Sequence, residues 1–157
     1  MKKIISFLLA VCVIFSALTV SVFASDDEIV ISESTEYFED GSYMTVTLTE
    51  EKNSNIRATS TKTGSKTFTL YNSDDEQLVE MKLTATFSYT GSSATCTNVS
   101  PTFRVYNSYW RVTKSTGTKS GNKGIGEFTA KQYVLNVPIN TKDVTITITC
   151  SNTGTLS

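Results

Sequence analysis

Two carboxylates and a complete lack of histidine limit the catalytic chemistry open to this 157-residue chain. Glu127 and Asp143 are the only acidic residues after Glu80, and a carboxylate pair can hydrolyse a glycosidic bond without histidine. Both adjoin predicted turns, where a solvated charge is the commoner role. Lack of histidine removes the usual neutral-pH base and the commonest zinc ligand. We expect a protein that is not an enzyme, with no catalytic residue, metal or other cofactor; a small glycan hydrolase is the least favoured alternative.

Two cysteines, Cys96 and Cys150, lie outside the apolar N-terminal segment. In an exported protein an even pair of cysteines predicts a disulfide. It would close a loop of about 55 residues. Two buried free thiols are the alternative, because the sequence does not give the distance between the two residues.

Aromatic residues in the second half of the chain offer one binding chemistry. The flat rings of Tyr and Trp can stack on the apolar faces of sugars, which makes Tyr106, Tyr109 and Trp110 candidates for glycan binding. The alternative is that Trp110 lies in the core and the tyrosines are ordinary strand residues.

The uneven distribution of charge along the chain offers a second binding chemistry. Residues 25–80 hold 13 acidic and 4 basic residues, whereas residues 81–157 hold 2 acidic and 8 basic residues. The two halves can pair with each other, or the basic half can present a positive surface to an anionic polymer. Solvated charges spread over all faces are the third reading. The candidates for a basic surface are Arg104, Arg111, Lys114, Lys119, Lys123 and Lys131.

The alternation of apolar and polar residues predicts the elements that must position these side chains. From Val79 to Tyr89 every second residue is apolar, and the stretch from Val144 to Cys150 repeats the pattern. A period of two is typical of strands with one buried face, and its phase turns Cys150 toward the core. The dipeptide Asp40-Gly41 predicts a hairpin turn before a third such run.

Turn-forming residues predict the connections. The Gly-, Ser- and Lys-rich stretch from Thr116 to Gly124 indicates a long hairpin loop. Phe128, Ala130 and Val134 indicate a further strand, in which a shift of phase between Ala130 and Tyr133 indicates a bulge. Pro138 predicts that the end of this same strand lies at a sheet edge.

Short strands separated by turns predict an all-β chain that folds as an antiparallel β-sandwich. We assign the sandwich domain to residues 66–157. Residues 25–65 form an acidic N-terminal region with one hairpin, which either adds strands to the sandwich or forms a mobile arm; we favour added strands. The order Cys96, Trp110, Cys150 is immunoglobulin-like in architecture at best, because Ile148 stands where a tyrosine corner needs Tyr.

The N-terminal residues have the layout of a secretory signal peptide. A basic start is followed by an apolar run from Ile4 to Val22, a small residue at Ala24 and then an acidic cluster. This order predicts a signal peptide over residues 1–24, with a retained membrane anchor as the alternative. We therefore expect a secreted, extracellular product that makes no membrane contact after cleavage.

Three stretches carry a family resemblance: Phe87 to Thr97 (FSYTGSSATCT), Lys119 to Lys123 (KSGNK) and Thr149 to Ser157 (TCSNTGTLS). Over roughly residues 66–157 the chain resembles small exported proteins of clostridia-type, Gram-positive bacteria. That group has no assigned activity. The resemblance implies secretion and a shared β domain, and it supplies no catalytic residue.

Together these features predict a secreted, non-enzymatic β-sandwich that binds a partner or has a structural role at the cell envelope or outside the cell. The expected partner is an anionic cell-wall polymer, a glycan or another exported protein. Nucleic acid is not expected, because the exported chain has a small negative net charge. A carbohydrate-binding module that uses Tyr106, Tyr109 and Trp110 is the alternative.

Overall fold

A computed structural model describes residues 27–52 and 60–157, which form eight β-strands and no helix. The predicted signal peptide lies outside the described residues. The strands are β1 (Glu28–Tyr37), β2 (Tyr43–Glu51), β3 (Ser60–Tyr71), β4 (Gln77–Tyr89), β5 (Ala94–Val105), β6 (Trp110–Ser120), β7 (Lys123–Val134) and β8 (Val137–Thr149). Within this part of the chain, no helix is long and apolar enough to cross a bilayer.

The strands form two antiparallel sheets that pack as a sandwich. The first sheet has the order β1-β2-β3-β4-β5 and the second has the order β6-β7-β8. The predicted all-β fold and its sandwich architecture are thus confirmed. Hydrogen-bonded neighbours are always consecutive in sequence, so the described strands lack the Greek-key connections of an immunoglobulin domain. The likeness suggested by the order Cys96, Trp110, Cys150 does not extend to topology.

The core lies between β4 and the second sheet. The apolar residues of β4 from Val79 to Phe87 are fully buried, and the polar residues between them are partly exposed, as the alternation predicts. Burial of each of the larger side chains, Val79, Met81, Leu83 and Phe87, stabilises the fold by about 1.5–3 kcal/mol. The second sheet contributes Phe128, Ala130, Val144, Ile146 and Ile148 to the same core.

The N-terminal strands β1 and β2 belong to the first sheet. β2 pairs with β3 from Tyr43–Tyr71 to Glu50–Gly64, and β3 continues through residue 65, where the sequence suggested a boundary. β1 is the edge strand of the first sheet and pairs with β2. Its Glu28 also forms an ion pair of 3.6 Å with Lys82 of β4. The strand residues of β1 are almost all exposed.

The predicted long loop from Thr116 to Gly124 is wrong. β6 continues to Ser120, β7 begins at Lys123, and Gly121-Asn122 alone make the turn, with Gly121 at φ 57°. The alternation is hidden because inward positions in this hairpin are occupied by glycine rather than by large apolar residues. The predicted bulge is confirmed, because the β7–β8 register shifts between Gln132 and Tyr133. The prediction from Pro138 is wrong for the strand to which it was applied: β7 is the central strand of its sheet, and Pro138 lies in the next strand, β8, which is at the edge.

Candidate ligand-binding cleft at one end of the sandwich

Four connections meet at one end of the sandwich, because every described strand is antiparallel to its neighbour. They are residues 38–42, 72–76, 106–109 and 135–136. The single tryptophan and six of the seven tyrosines lie in or beside these connections. These residues are Tyr37, Tyr43, Tyr71, Tyr106, Tyr109, Trp110 and Tyr133. We call this the aromatic end; Tyr89 lies at the opposite end of β4.

A stack of three tyrosines supports one side of the aromatic end. The rings of Tyr43 and Tyr71 are stacked with centroids 4.7 Å apart, and Tyr37 packs on Tyr43 at 5.5 Å. The Tyr43 hydroxyl donates a hydrogen bond of 3.0 Å to Asp75 Oδ1. Burial and then this bond to Asp75 raise the pKa of Tyr43 to about 12. The stack therefore joins β1, β2 and β3 to the connection between β3 and β4.

Hydrogen bonds inside the connection between β3 and β4 also order it. The Asn72 Oδ1 atom accepts hydrogen bonds from the backbone N–H groups of Asp74 and Glu76, and its Nδ2 donates to Glu76 Oε2. A side-chain amide that satisfies its own turn in this way is a common device for ordering a short connection. These hydrogen bonds therefore order the connection between β3 and β4, which forms one wall of the aromatic end.

A cleft of about 240 Å³ opens between the connections at the aromatic end. Its lining is mostly polar and includes four side-chain amides, two serines, a carboxylate and an ammonium group. The lining residues are Asp40, Ser42, Leu70, Asn72, Ser73, Leu78, Asn107, Tyr109, Trp110, Gln132, Asn140 and Lys142. Amides offer both donors and acceptors, so this end cleft can bind a neutral, hydroxyl-rich group.

Two opposite charges flank the end cleft. The Ser42 hydroxyl and then the Ser42 backbone N–H donate hydrogen bonds to Asp40, and they hold the pKa of its carboxyl below the usual value. The Lys142 ammonium lies 3.8 Å from the ring centroid of Phe38, a favourable cation–π distance. Asp40 therefore remains an acceptor at neutral pH, and Lys142 is a fixed donor.

A second depression of about 360 Å³ lies beside the end cleft and shares Leu70 and Lys142 with it. Phe38, Met44 and Val144 give it a more apolar lining than that of the end cleft. It offers fewer paired donors and acceptors than the end cleft, so the end cleft is the better candidate for a polar ligand.

The three predicted aromatic ligands have different environments. Tyr109 is 60% exposed and lines the end cleft. Trp110 also lines it but is only 4% exposed. The prediction that Trp110 stacks on a sugar is therefore wrong, because its ring is packed in the core. Tyr106 is 42% exposed but lies outside the cleft lining; its hydroxyl donates a hydrogen bond of 3.3 Å to Glu80.

Two of the predicted basic residues lie close together and near the end cleft. Arg111 and Lys131 are paired in register across β6 and β7. The Arg111 guanidinium lies 4.8 Å from the ring centroid of Tyr133, and its Nη2 donates to Asn136 Oδ1 at 3.5 Å. These two residues form a small positive pair at the aromatic end.

The other four predicted basic residues are dispersed over the molecule. Lys114 makes an ion pair of 2.8 Å with Glu127. Lys119 donates to the backbone oxygen of Thr97, and Lys123 begins β7 at the opposite end of the molecule. Arg104 lies on the first sheet, opposite Glu80 in the β4–β5 register. The structure thus does not bring the six basic residues onto one surface.

The two carboxylates considered for hydrolysis do not share a cleft. Glu127 is exposed on the second sheet, where Lys114 neutralises it. Asp143 accepts a hydrogen bond of 2.6 Å from the Thr129 hydroxyl and lines only the second depression. Neither residue lines the end cleft. In the described residues, no group of three or more potential metal ligands is found.

The two cysteines lie in the core but belong to different sheets. Cys96 is in β5 and Cys150 follows β8 directly. Their N–H groups donate to the carbonyl oxygens of the consecutive residues Gly121 and Asn122, at 2.7 and 3.0 Å. Both thiols are free in this structure, so it does not contain the predicted disulfide. Each thiol instead donates to a nearby backbone oxygen at 3.4 Å, and burial raises the pKa of both thiols.

Sequence reasoning missed most residues of the end cleft. Asp40 and Asn107 come from two different connections, Lys142 lies within β8, and Gln132 and Asn140 flank a bulge. The one local signal for several of these residues is an amide or a carboxylate close to a turn. That signal is weak, because Asn and Asp are favoured in turns for backbone reasons alone.

Comparisons with protein-family models, with curated proteins and with solved structures give no match for this chain.

Proposed function

We propose that this protein is an exported, non-enzymatic β-sandwich module that binds a glycan in the end cleft. One observation carries the proposal: four amides, the Asp40 carboxylate and the exposed Tyr109 ring converge on a single concave site. Sugar hydroxyls act as donors and acceptors at once, and amides match both roles. An exposed Tyr ring adds a flat apolar surface for the C–H face of a sugar.

The size of the end cleft favours a short glycan segment. Its volume of about 240 Å³ is below the roughly 300–1,000 Å³ of typical small-molecule sites. It therefore suits one or two sugar units of a longer chain that continues into solvent. Asp40 and Lys142 line the same cleft with opposite charges, so together they favour a glycan without net charge.

Binding through a broad basic surface has less support. Lys114 is neutralised by Glu127, and Arg104 and Lys123 lie far apart in the fold, on different sheets. Hydrolysis by Glu127 and Asp143 also has less support, because the two carboxylates line no common cleft.

Export is part of the proposal. The basic, apolar and acidic order of residues 1–28 supports a cleaved leader. In an oxidising compartment Cys96 and Cys150 form a disulfide between the two sheets. Their burial and their bonds to one tight turn support that pairing.

Titration with soluble oligosaccharides tests the glycan site. Trp110 is the single tryptophan and lines the end cleft, so its fluorescence reports binding there. Short β-glucan, xylan, chitin and peptidoglycan fragments are the probes. We expect saturable changes with at least one class, and a roughly tenfold weaker affinity for Tyr109→Ala and Asn140→Ala, since each loses a contact worth about 1 kcal/mol or more.

Tyr106→Ala is the matched control, because Tyr106 is exposed nearby but lies outside the cleft. Its affinity should equal that of the wild type. Flat Trp110 fluorescence with all four glycan classes, or equal weakening by Tyr106→Ala and Tyr109→Ala, would contradict glycan binding at this site.

A further inference from the structure

The tip of the β7–β8 hairpin is apolar and projects from the aromatic end. Leu135 is 93% exposed, Val137 59%, Ile139 58% and Val134 45%. No charged residue occurs between Lys131 and Lys142. We call residues 132–141 the apolar tip. Four large apolar side chains exposed together on one hairpin exceed the scattered apolar residues of an ordinary surface.

Leu135, the first residue of the turn at the apex, is not the residue type that best favours folding of this hairpin. Leu135 and Asn136 have φ values of 50° and 64°, as a two-residue turn of type I′ requires. Asn tolerates this conformation, but the Leu side chain disfavours it. Gly, Asn or Asp at position 135 would fold more readily, so an apolar side chain at the apex has no benefit for the isolated hairpin.

Basic residues flank the apolar tip on the second sheet, whereas the acidic residues of the neighbouring connections, Glu39, Asp40 and Asp74 to Glu76, belong to the first sheet. Lys131 and Lys142 bound it in sequence, and Arg111 reaches its turn through the contact with Asn136. Between Glu127 and Asp143 the chain has no acidic residue. The Tyr133 ring, which stacks with Arg111, lies at the same level. An apolar tip above a collar of cations and aromatic rings matches the layered chemistry of a bilayer surface.

We propose that the apolar tip inserts into the surface of a bilayer that contains anionic phospholipid. Leu135, Val137 and Ile139 enter the boundary between headgroups and acyl chains, and the basic collar contacts the lipid phosphates. This docking goes beyond the proposed glycan binding and does not depend on it. It differs from spanning a membrane, and it replaces the sequence-based expectation that the processed chain makes no membrane contact.

The shape of the tip favours a bilayer over a second copy of the chain. A convex tip needs a matching apolar groove on a protein partner, whereas a bilayer accepts it without shape complementarity. The groove that a second copy could offer is the second depression, and its apolar lining is interrupted by Glu36, Lys142 and Asp143. Docking of the apolar tip there would take these three charged groups out of water, which insertion into a bilayer surface does not require.

Vesicle co-sedimentation tests the proposal. The processed chain from Ser25, which contains all eight strands, is mixed with vesicles of phosphatidylglycerol and phosphatidylcholine in equal parts, and with phosphatidylcholine alone. We expect binding to the anionic vesicles that weakens in high salt. Leu135→Asp should partition at least about tenfold less, and it should fold well because Asp tolerates a positive φ better than Leu.

Ser92→Asp is the matched control: it adds the same charge in the connection between β4 and β5, at the opposite end. It should bind vesicles like the wild type. No wild-type binding, or equal loss in both variants, would overturn the proposal. A wild-type dimer that Leu135→Asp separates, without vesicle binding, would assign the tip to a second copy instead. Leu135 is outside the end cleft, so Leu135→Asp should bind glycans like the wild type. Glycan titration of this variant therefore separates failure of the vesicle proposal from failure of the glycan site.

Discussion

Tyr43 illustrates how a single side chain orders the aromatic end. Its ring lies between Tyr37 and Tyr71, and its hydroxyl is bonded to Asp75. The sequence predicts strand residues here, but it does not indicate the stack, because three residues from three strands meet only when the register is correct. Removal of the Tyr43 hydroxyl should loosen the connection that carries Asn72 into the end cleft.

Tyr43→Phe should change the alkaline stability of the protein. The folded state holds the pKa of Tyr43 at about 12, whereas an unfolded tyrosine titrates near 10. Above about pH 10 the unfolded state therefore releases a proton that the folded state retains, and stability falls as pH rises. Denaturant unfolding at pH 8 and pH 11 should show a smaller loss for Tyr43→Phe than for the wild type.

Tyr106→Phe is the control for this comparison, because Tyr106 lies outside the stack. An identical pH dependence of Tyr43→Phe and wild type would contradict the assigned role. At pH 8 we expect Tyr43→Phe to cost about 0.5–1.5 kcal/mol, the usual net contribution of one hydrogen bond.

At the scale of elements, β7 shows why composition misled the prediction of a loop. Gly124 and Gly126 occupy inward positions where a strand normally carries large apolar residues. A Cβ at Gly124 would lie 2.7 Å from the Cβ of Ala85 in β4. The glycines therefore let the second sheet approach the first closely, and they do not mark a flexible connection.

Gly124→Ala should destabilise the protein by about 1–3 kcal/mol, the usual cost of overpacking a core. Ala85→Gly removes the opposing Cβ and should relieve part of that cost. Thermal or denaturant unfolding of both single variants and the double variant gives the coupling between them. If the two effects simply add, close approach of the sheets at Gly124 is not the reason for the glycine.

At the scale of the whole molecule, the two cysteines lie one on each sheet, where the sheets are also joined by hydrogen bonds such as Cys96 N–H to the Gly121 oxygen and Lys119 to the Thr97 oxygen. The structure has two buried free thiols with raised pKa values. In the folded, reduced protein they should react slowly with iodoacetamide at pH 8, because the thiolate is the reactive form and both sulfurs are shielded. Unfolding should make both react fast.

Export should convert this thiol pair to a disulfide. Two thiols become one S–S bond, and two electrons and two protons pass to a disulfide-containing oxidant. Alkylation under denaturing conditions followed by intact-mass measurement should find no free thiol in the exported chain and two in chain made in a reducing cytosol. The bond should add about 4 kcal/mol of stability in the loop-entropy description. Two alkylated thiols in the exported chain would exclude it.

Local pattern was sufficient for much of the fold. The alternation from Val79 to Tyr89 and from Val144 to Cys150 correctly predicts strands and buried faces, because side-chain direction in a strand repeats every two residues. Turn chemistry correctly predicts the hairpin turn at Gly41, and the shift of apolar phase after Ala130 correctly predicts the bulge near Gln132. It failed between Thr116 and Gly124, because glycines that serve close packing look the same as glycines that serve a loop.

The sequence by itself therefore determined the strands and most of their inward faces, whereas the export signal stays a prediction. Tertiary structure alone decided which side chains meet. Asp40, Asn72, Asn107 and Asn140 are separated by up to 100 residues, and only the pairing of strands into two sheets brings them around one cleft. The same packing buries Trp110 and exposes Leu135. Strand pairing and sheet packing are long-range interactions, and a periodicity of two residues carries no information about them.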